Sequence, residues 1–369
     1  MTLQKFQSHF FKSTDYTHFN NSGQCLIPDV NRDKAIEWLD RLSTEAAFCS
    51  LEGWLQTEVT RKKLAAFLGA APEETSFFQT TASALSQVAF GISLKVDDEI
   101  LLWDQEYPSN FYPWRQAAEK NSARLVQVES DNWNTPVENI LNRVNAKTRV
   151  IAVSWVQFQT GAVTNLKLLS EKLRGSGIWL VADVIQGVGV RPFNFHDSGF
   201  DVVCGGSHKW LCSGFGAAYM AIKKERMAEL APMAVGAMTY GTPDTPKSMS
   251  NLPKADASRY EPGTKSMVEI IAMGATLDLF SEIGMSEIYN EACRISELLQ
   301  SGLRDLKYNT LGSGPILNFS PKNPNDLEVI MKKLKAGKVS YARRGPGLRL
   351  SAHAYNTEGD VQRVLSLLK

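Results

Sequence analysis

Two stretches decide the reading: Ile178-Trp-Leu-Val-Ala-Asp183-Val-Ile-Gln186-Gly187 and Phe200-Asp-Val-Val-Cys204-Gly-Gly-Ser207-His208-Lys209-Trp210. Each carries a short apolar run, as expected of a strand buried on both faces. The first run delivers Asp183 at its C-terminal end, and the second delivers Ser207, His208 and Lys209. Glycines at 205 and 206, and again at 214 and 216, let backbone come close to a flat ligand. A strand-end aspartate alone is often a helix cap, and a loop lysine alone is usually solvated. An acid and a lysine at consecutive strand ends point instead to shared chemistry.

Pyridoxal phosphate requires that pair. The lysine amine condenses with the cofactor aldehyde, while the acid keeps the pyridine nitrogen protonated so that the ring accepts electrons. With these residues in place, the sequence resembles the class V, fold-type I pyridoxal phosphate enzymes. These include cysteine desulfurases, selenocysteine lyases, kynureninase and isopenicillin N epimerase-like proteins. The resemblance runs from Phe19-Asn-Asn-Ser-Gly23 to Leu348-Arg349-Leu-Ser351.

Hydrophobic periodicity gives the elements around that centre. Residues 28–68 read as helix, ending at Gly69. Strand and helix patterns then alternate, with strands at 75–79, 99–103, 124–128, 149–154 and 217–222 beside the two quoted. Helices are expected at 81–94, 112–121, 137–144 and 165–174. A long Gly/Pro-rich loop covers 237–262. Helices 268–280, 286–304 and 358–368 follow, with strands near 316–319 and 348–351. The alternation predicts an α/β fold. The resemblance implies a three-layer α/β/α large domain with a mostly parallel sheet, residues 16–262. A smaller α+β C-terminal domain would take residues 263–369 together with 1–15.

The resemblance also implies roles. Lys209 is the cofactor-linked lysine and then the acid/base at the substrate Cα. Asp183 is the pyridine partner, and Gln186 stands where relatives contact the ring hydroxyl. Thr81 and Ala82, opening a helix, align with the family's phosphate-binding segment. A helix N-terminus supplies free N–H groups and a favourable dipole for an anion. His208 is a second phosphate contact. Gly206 stands where desulfurases carry a serine, and Ser207 is the candidate substitute. Tyr107 occupies the place of a stacking histidine. Phe158 replaces a family asparagine, leaving Gln157 or Gln186 for the ring hydroxyl. Arg349 matches the arginine that grips the substrate α-carboxylate, since a guanidinium suits a planar carboxylate. Asn21, in the opening motif, is a further substrate contact. Arg343 and Arg344 could read a substrate side chain, although a solvated basic loop is the commoner outcome. Thr264, in Arg259-Tyr-Glu-Pro-Gly-Thr264, resembles the threonine that reaches the neighbouring subunit's cofactor phosphate, which implies a homodimer.

Composition narrows the partners. The 40 basic residues against 39 acidic ones leave a net charge of +1, so nothing advertises nucleic acid or an anionic membrane. The N-terminus lacks an apolar signal region, and no run approaches the ~18 apolar residues of a membrane helix. These features predict a soluble cytoplasmic protein. Five cysteines form no CxxC pair and five histidines are scattered, which predicts no disulfide framework and no metal.

The expected activity is Cα–H cleavage on a small amino acid, with transamination as the leading outcome. A C–S lyase resembling selenocysteine lyase, working without a persulfide cysteine, is the alternative within enzymes. A non-catalytic cofactor-binding sensor or scaffold is the alternative outside them. Between Gly314 and Arg349 there is no cysteine. A persulfide-forming desulfurase needs a thiolate there.

Overall fold

The computed structural model describes residues 1–240 and 252–369, so the long loop expected at 237–262 lies partly outside the described residues. Its centre is a seven-stranded sheet. The strand order is Thr75–Phe78, Ala218–Ile222, Val202–Gly206, Trp179–Asp183, Thr148–Ser154, Glu99–Trp103, Arg124–Val128. Only Ala218–Ile222 runs against its neighbours; the remaining pairs are parallel.

Both faces are buried at the centre of the sheet, which is why the strands Trp179–Asp183 and Val202–Gly206 read as apolar runs. Trp179, Val181, Val202 and Cys204 pack on the face covered by the helices Thr81–Gly91 and Tyr112–Asn121. Leu180, Ala182 and Val203 pack on the other, with Leu166, Leu169, Ile270 and Leu277. Period-2 alternation therefore turns Asp183 towards the same face as Trp179 and Val181, above the N-terminus of the Thr81 helix.

The expected helix over 28–68 is two helices, Asp29–Glu45 and Ser50–Leu68. Between them the 3-10 turn Ala46–Cys49 begins with Ala46 at φ 48°. The break lets Trp38 and Cys49 bury together against Ile271. Arg41 spans the bend, pairing with Glu45 at 2.9 Å and Glu52 at 2.7 Å.

Beyond the helix Met267–Ile283, the helix Met285–Asp305 leads into a four-stranded antiparallel sheet ordered Ala342–Arg344, Gly347–Ser351, Ile316–Ser320, Asn309–Leu311. The helices Leu327–Ala336 and Glu358–Leu368 pack with it, and the first of these lay outside the sequence expectation. The N-terminal segment is drawn to this region. Thr17–His18 pairs with Val339–Ser340, and Asn20 bridges to Ser351. That pairing carries the opening motif to the strand holding Arg349. Among the described residues, no helix is long and apolar enough to cross a membrane.

Candidate active site

At the C-terminal ends of the parallel strands lies a cleft of about 410 Å³, the usual place for a ligand in an open α/β sheet. Lys209, Asp183, Gln186, Thr81, Ala82, Tyr107, His208 and Arg349 all line it. Lys209 stands on the turn after Val202–Gly206, closed by Cys212 N–H donating to Lys209 O at 2.8 Å. Burial lowers its amine to about 8, with Arg349 and Arg344 adding repulsion and Asp183 opposing. Asp183 is 3% exposed, and burial raises it to about 6 against the Ile185 N–H and Lys209. Its Oδ1 accepts from Ile185 at 2.9 Å, and no protein donor reaches Oδ2 among the described residues.

Thr81 opens the helix Thr81–Gly91, whose cap is Thr80 Oγ1 accepting from Ser83 N–H at 3.0 Å. The first-turn N–H groups have no partner inside the helix, and the buried Thr81 hydroxyl has none among the described residues. Gly206 makes room for it: a Cβ there would stand 2.8 Å from Thr81 Oγ1. His208 packs flat on Phe215, with ring centroids 5.2 Å apart. Burial, then Lys209, lowers it to about 4, so it is neutral at physiological pH. The Tyr107 ring centroid is 5.5 Å from Lys209 Nζ and meets Phe158 edge-on.

Arg349 is 3% exposed. Its Nη1 donates to Phe158 O at 2.6 Å and its Nη2 to Asn20 Oδ1 at 3.1 Å, leaving Nε without a partner. No carboxylate pairs with it among the described residues. Burial, then Arg344, lowers it to about 10.

Three expected residues stand apart from the cleft. The Ser207 hydroxyl faces Ala217 O at 2.7 Å and Gly214 O at 2.9 Å, so its one proton is committed to backbone and it does not replace the desulfurase serine. Asn21 is fully buried: its amide donates to Ser351 O at 2.7 Å and Asn356 Oδ1 at 3.1 Å, and its oxygen accepts from Tyr355 OH. It therefore ties the N-terminal segment to the small sheet, while its neighbour Asn20 takes the place beside Arg349. Thr264 is exposed at a separate cleft with Phe77, Gln79 and Ser83. Gln186 lines the cleft with its amide already engaged, donating to Ser22 O and accepting from Trp210 Nε1, each at 3.0 Å. Gln157 turns to Glu106, its Nε2 donating to Oε1 at 3.0 Å.

Glu106 gave no sequence signal beyond preceding Tyr107. Ser154 N–H donates to it at 2.7 Å, with Asn110 and Gln157 each at 3.0 Å, and burial raises it to about 7. It fixes the Tyr107 loop to the end of the Thr148–Ser154 strand. Cys25, Cys212 and His353, far apart in sequence, meet in the core with their potential ligand atoms within 4.8 Å of one another. Cys212 Sγ is 3.6 Å from His353 Nε2.

A family model, aminotransferase class-V, matches residues 50–364. The chain belongs to that family. Class V relatives include a probable cysteine desulfurase of Methanothermobacter thermautotrophicus, 23% identical over 325 residues, covering 82% of this chain and 80% of the relative. The isopenicillin N epimerase of Amycolatopsis lactamdurans is 27% identical over 331 residues, covering 84% and 83%. Among solved structures, the cystine C–S lyase C-DES in complex with cysteine persulfide superposes with a TM-score of 0.89 at 21% identity, covering 96% and 97%. An apo cysteine desulfurase from Thermococcus onnurineus gives 0.87 at 20%, covering 98% and 96%. The architecture is fold-type I, and this class V protein is a pyridoxal 5'-phosphate-dependent enzyme. The cleft fits that cofactor. The open Asp183 oxygen could accept from a protonated ring nitrogen, the orphaned Thr81 hydroxyl and free N–H groups suit a phosphate, and the Lys209 amine is unpaired among the described residues of the same cleft.

Proposed function

We propose that this class V enzyme cleaves the Cα–H bond of a small amino acid and transfers its amino group. The observation that carries the reading is the convergence of Lys209, Asp183 and Arg349 on one cleft, with no carboxylate beside Arg349 among the described residues. When bound, the cofactor supplies the electron sink. Asp183 holds a proton at the ring nitrogen through its free Oδ2. Arg349 takes the α-carboxylate, and Phe158 O and Asn20 orient its guanidinium. Lys209, with its amine lowered to about 8, is suited to move the Cα proton near neutral pH. The test is a screen of amino acids for a shift of the cofactor's visible absorption. No shift with any of them would leave a cofactor-binding protein without this activity.

Replacing Arg349 with Ala should weaken the amino acid far more than the cofactor. A charge-assisted contact of this kind contributes about 1.5–3 kcal/mol, so KM should rise roughly ten- to a hundredfold. Loss of the cofactor spectrum instead would show that Arg349 is structural.

A second reading, elimination of a thiol from a sulfur amino acid, is favoured by the absence of cysteine between Gly314 and Arg349 and by the likeness to a cystine C–S lyase. In either case no protein thiol carries sulfur. A variant with all five cysteines changed to serine should keep turnover if it folds, and a persulfide trapped on the wild-type chain would refute this.

We also propose a homodimer. Glu261, in the motif ending at Thr264, is buried and held by Arg61 at 2.6 Å, Lys265 at 2.7 Å and Phe77 N–H at 2.8 Å. This anchor presents Thr264 outward. Large apolar side chains are also exposed on the turn Ala46–Cys49 and the helix Ser50–Leu68, Phe48 at 97%, Leu51 at 72% and Leu55 at 59%, a pattern that marks contact surfaces. Isologous pairing would let each Thr264 complete the partner's phosphate site. Mixing Lys209→Ala with Thr264→Ala subunits should then restore activity above either parent, because one site of each mixed dimer carries neither change. No recovery would place Thr264 outside the site.

A further inference from the structure

The cleft holds more positive charge than an ordinary amino acid would use. Its charged lining is Asp183, Lys209, Arg344 and Arg349. On the reading above, Asp183 and Lys209 are matched by the cofactor's ring nitrogen and aldehyde, its phosphate by the N-terminus of the Thr81–Gly91 helix, and His208 is neutral. One α-carboxylate then neutralises only one of the two arginines.

Arg344 is not simply a solvated neighbour of the site. It ends the edge strand Ala342–Arg344, with Ala342 opposite Arg349 and Arg344 opposite Gly347. Its carbonyl accepts from Asn318 Nδ2 at 2.7 Å, and the same amide donates to Gln159 O at 3.2 Å. Gln159 follows Phe158, whose carbonyl orients Arg349, so one short turn holds the Arg349 guanidinium and, through Asn318, the backbone of Arg344. Arg343 pairs with Glu328 at 3.2 Å, outside the cleft. The Arg344 guanidinium donates to Arg343 O at 3.0 Å and pairs with no carboxylate among the described residues. The buried acid that precedes Tyr107, Glu106, is occupied by Ser154, Asn110 and Gln157.

We infer that this site takes an amino acid whose side chain is itself anionic, a carboxylate or sulfinate, with Arg349 holding the α-carboxylate and Arg344 the distal group. This deepens the proposed function and rests on it. Because Arg344 is exposed at the rim, its contribution sits at the low end for a charged contact and weakens with salt.

Two measurements on the holoenzyme test the inference. The first compares kcat/KM for aspartate with asparagine, glutamate with glutamine, and cysteine sulfinate with cysteine. At low salt at least one acid should lead its neutral counterpart by roughly two- to fivefold, and Arg344→Gln should erase that lead while Arg344→Lys keeps part of it. The second measures succinate against butyrate binding by calorimetry, which needs no turnover. Succinate should bind more tightly, and the preference should vanish in Arg344→Gln. Equal binding of the two, or a preference untouched by Arg344→Gln, overturns the inference, as would pairing of Arg344 by an acid of a partner subunit. Turnover of neutral amino acids without acid preference would remove this inference and leave the amino-transfer reading standing. Succinate selectivity without turnover of any amino acid would do the reverse.

Discussion

Lys209→Ala is expected to abolish turnover and the borohydride-reducible bond to the cofactor while leaving the fold intact. The Lys209 amine makes no hydrogen bond or ion pair with a described residue; the Tyr107 ring lies 5.5 Å from Nζ. Truncating it therefore orphans no buried partner, and the stability change should stay within the small range of such substitutions. The cofactor should still bind, more weakly and without a covalent link, through Asp183 and the Thr81 helix N-terminus. The amine also makes a pH prediction. Burial lowers it to about 8 from 10.5, so its nucleophilic free base becomes the main form above about 8. Capture of added cofactor by the cofactor-free protein should rise through that range and level off well below 10.5. A capture rate still climbing near the ordinary lysine value would mean that another amine reacts. A reducible bond that survives in Lys209→Ala would mean the same.

Much of this site was legible because buried parallel strands leave a strong mark. The strands Trp179–Asp183 and Val202–Gly206 are apolar up to their ends, as two covered faces require, and the residues that follow such a run fall in the cleft. Arg349 and Thr81 were legible for similar reasons, one on a strand of the small sheet and the other at a helix start. What failed depended on single-residue orientation. Ser207 lies between Gly206 and His208, yet its hydroxyl turns to the backbone of Gly214 and Ala217. Choosing Asn21 over Asn20 amounted to choosing a strand register. The bridge from Asn20 to Ser351 turns Asn20 to Arg349 and buries Asn21, and a slip of one residue exchanges the two faces. The break at Ala46 follows from the burial of Cys49 with Trp38 and Ile271, tertiary contacts that periodicity cannot contain. The meeting of Cys25, Cys212 and His353 needs three remote segments to converge, so no spacing rule could find it.

Asp183→Asn should separate the electronic role of the acid from its structural one. Asparagine keeps the shape and an oxygen able to accept from Ile185 N–H, so the turn after the Trp179–Asp183 strand should survive. It cannot hold a ring nitrogen in its protonated form. Removing one partner of a buried ion pair costs about 3–5 kcal/mol, so kcat should fall by roughly two to four decades with a much smaller change in KM. The cofactor-free protein should respond in the opposite sense. Burial raises Asp183 to about 6 from 3.8. A raised carboxyl adds no penalty while both folded and unfolded chains are protonated, below 3.8. As pH rises to about 6 the unfolded chain ionises first, and stability is lost across that window. Asparagine carries no such penalty, so the cofactor-free variant should match wild type in acid and exceed it at neutral pH, by up to about 3 kcal/mol. Thermal unfolding of both cofactor-free proteins at the two pH values, set beside single-turnover rates of the loaded enzymes, reads both effects. A variant with undiminished kcat, or one less stable than wild type at neutral pH, would mean that Asp183 serves the strand end rather than the ring.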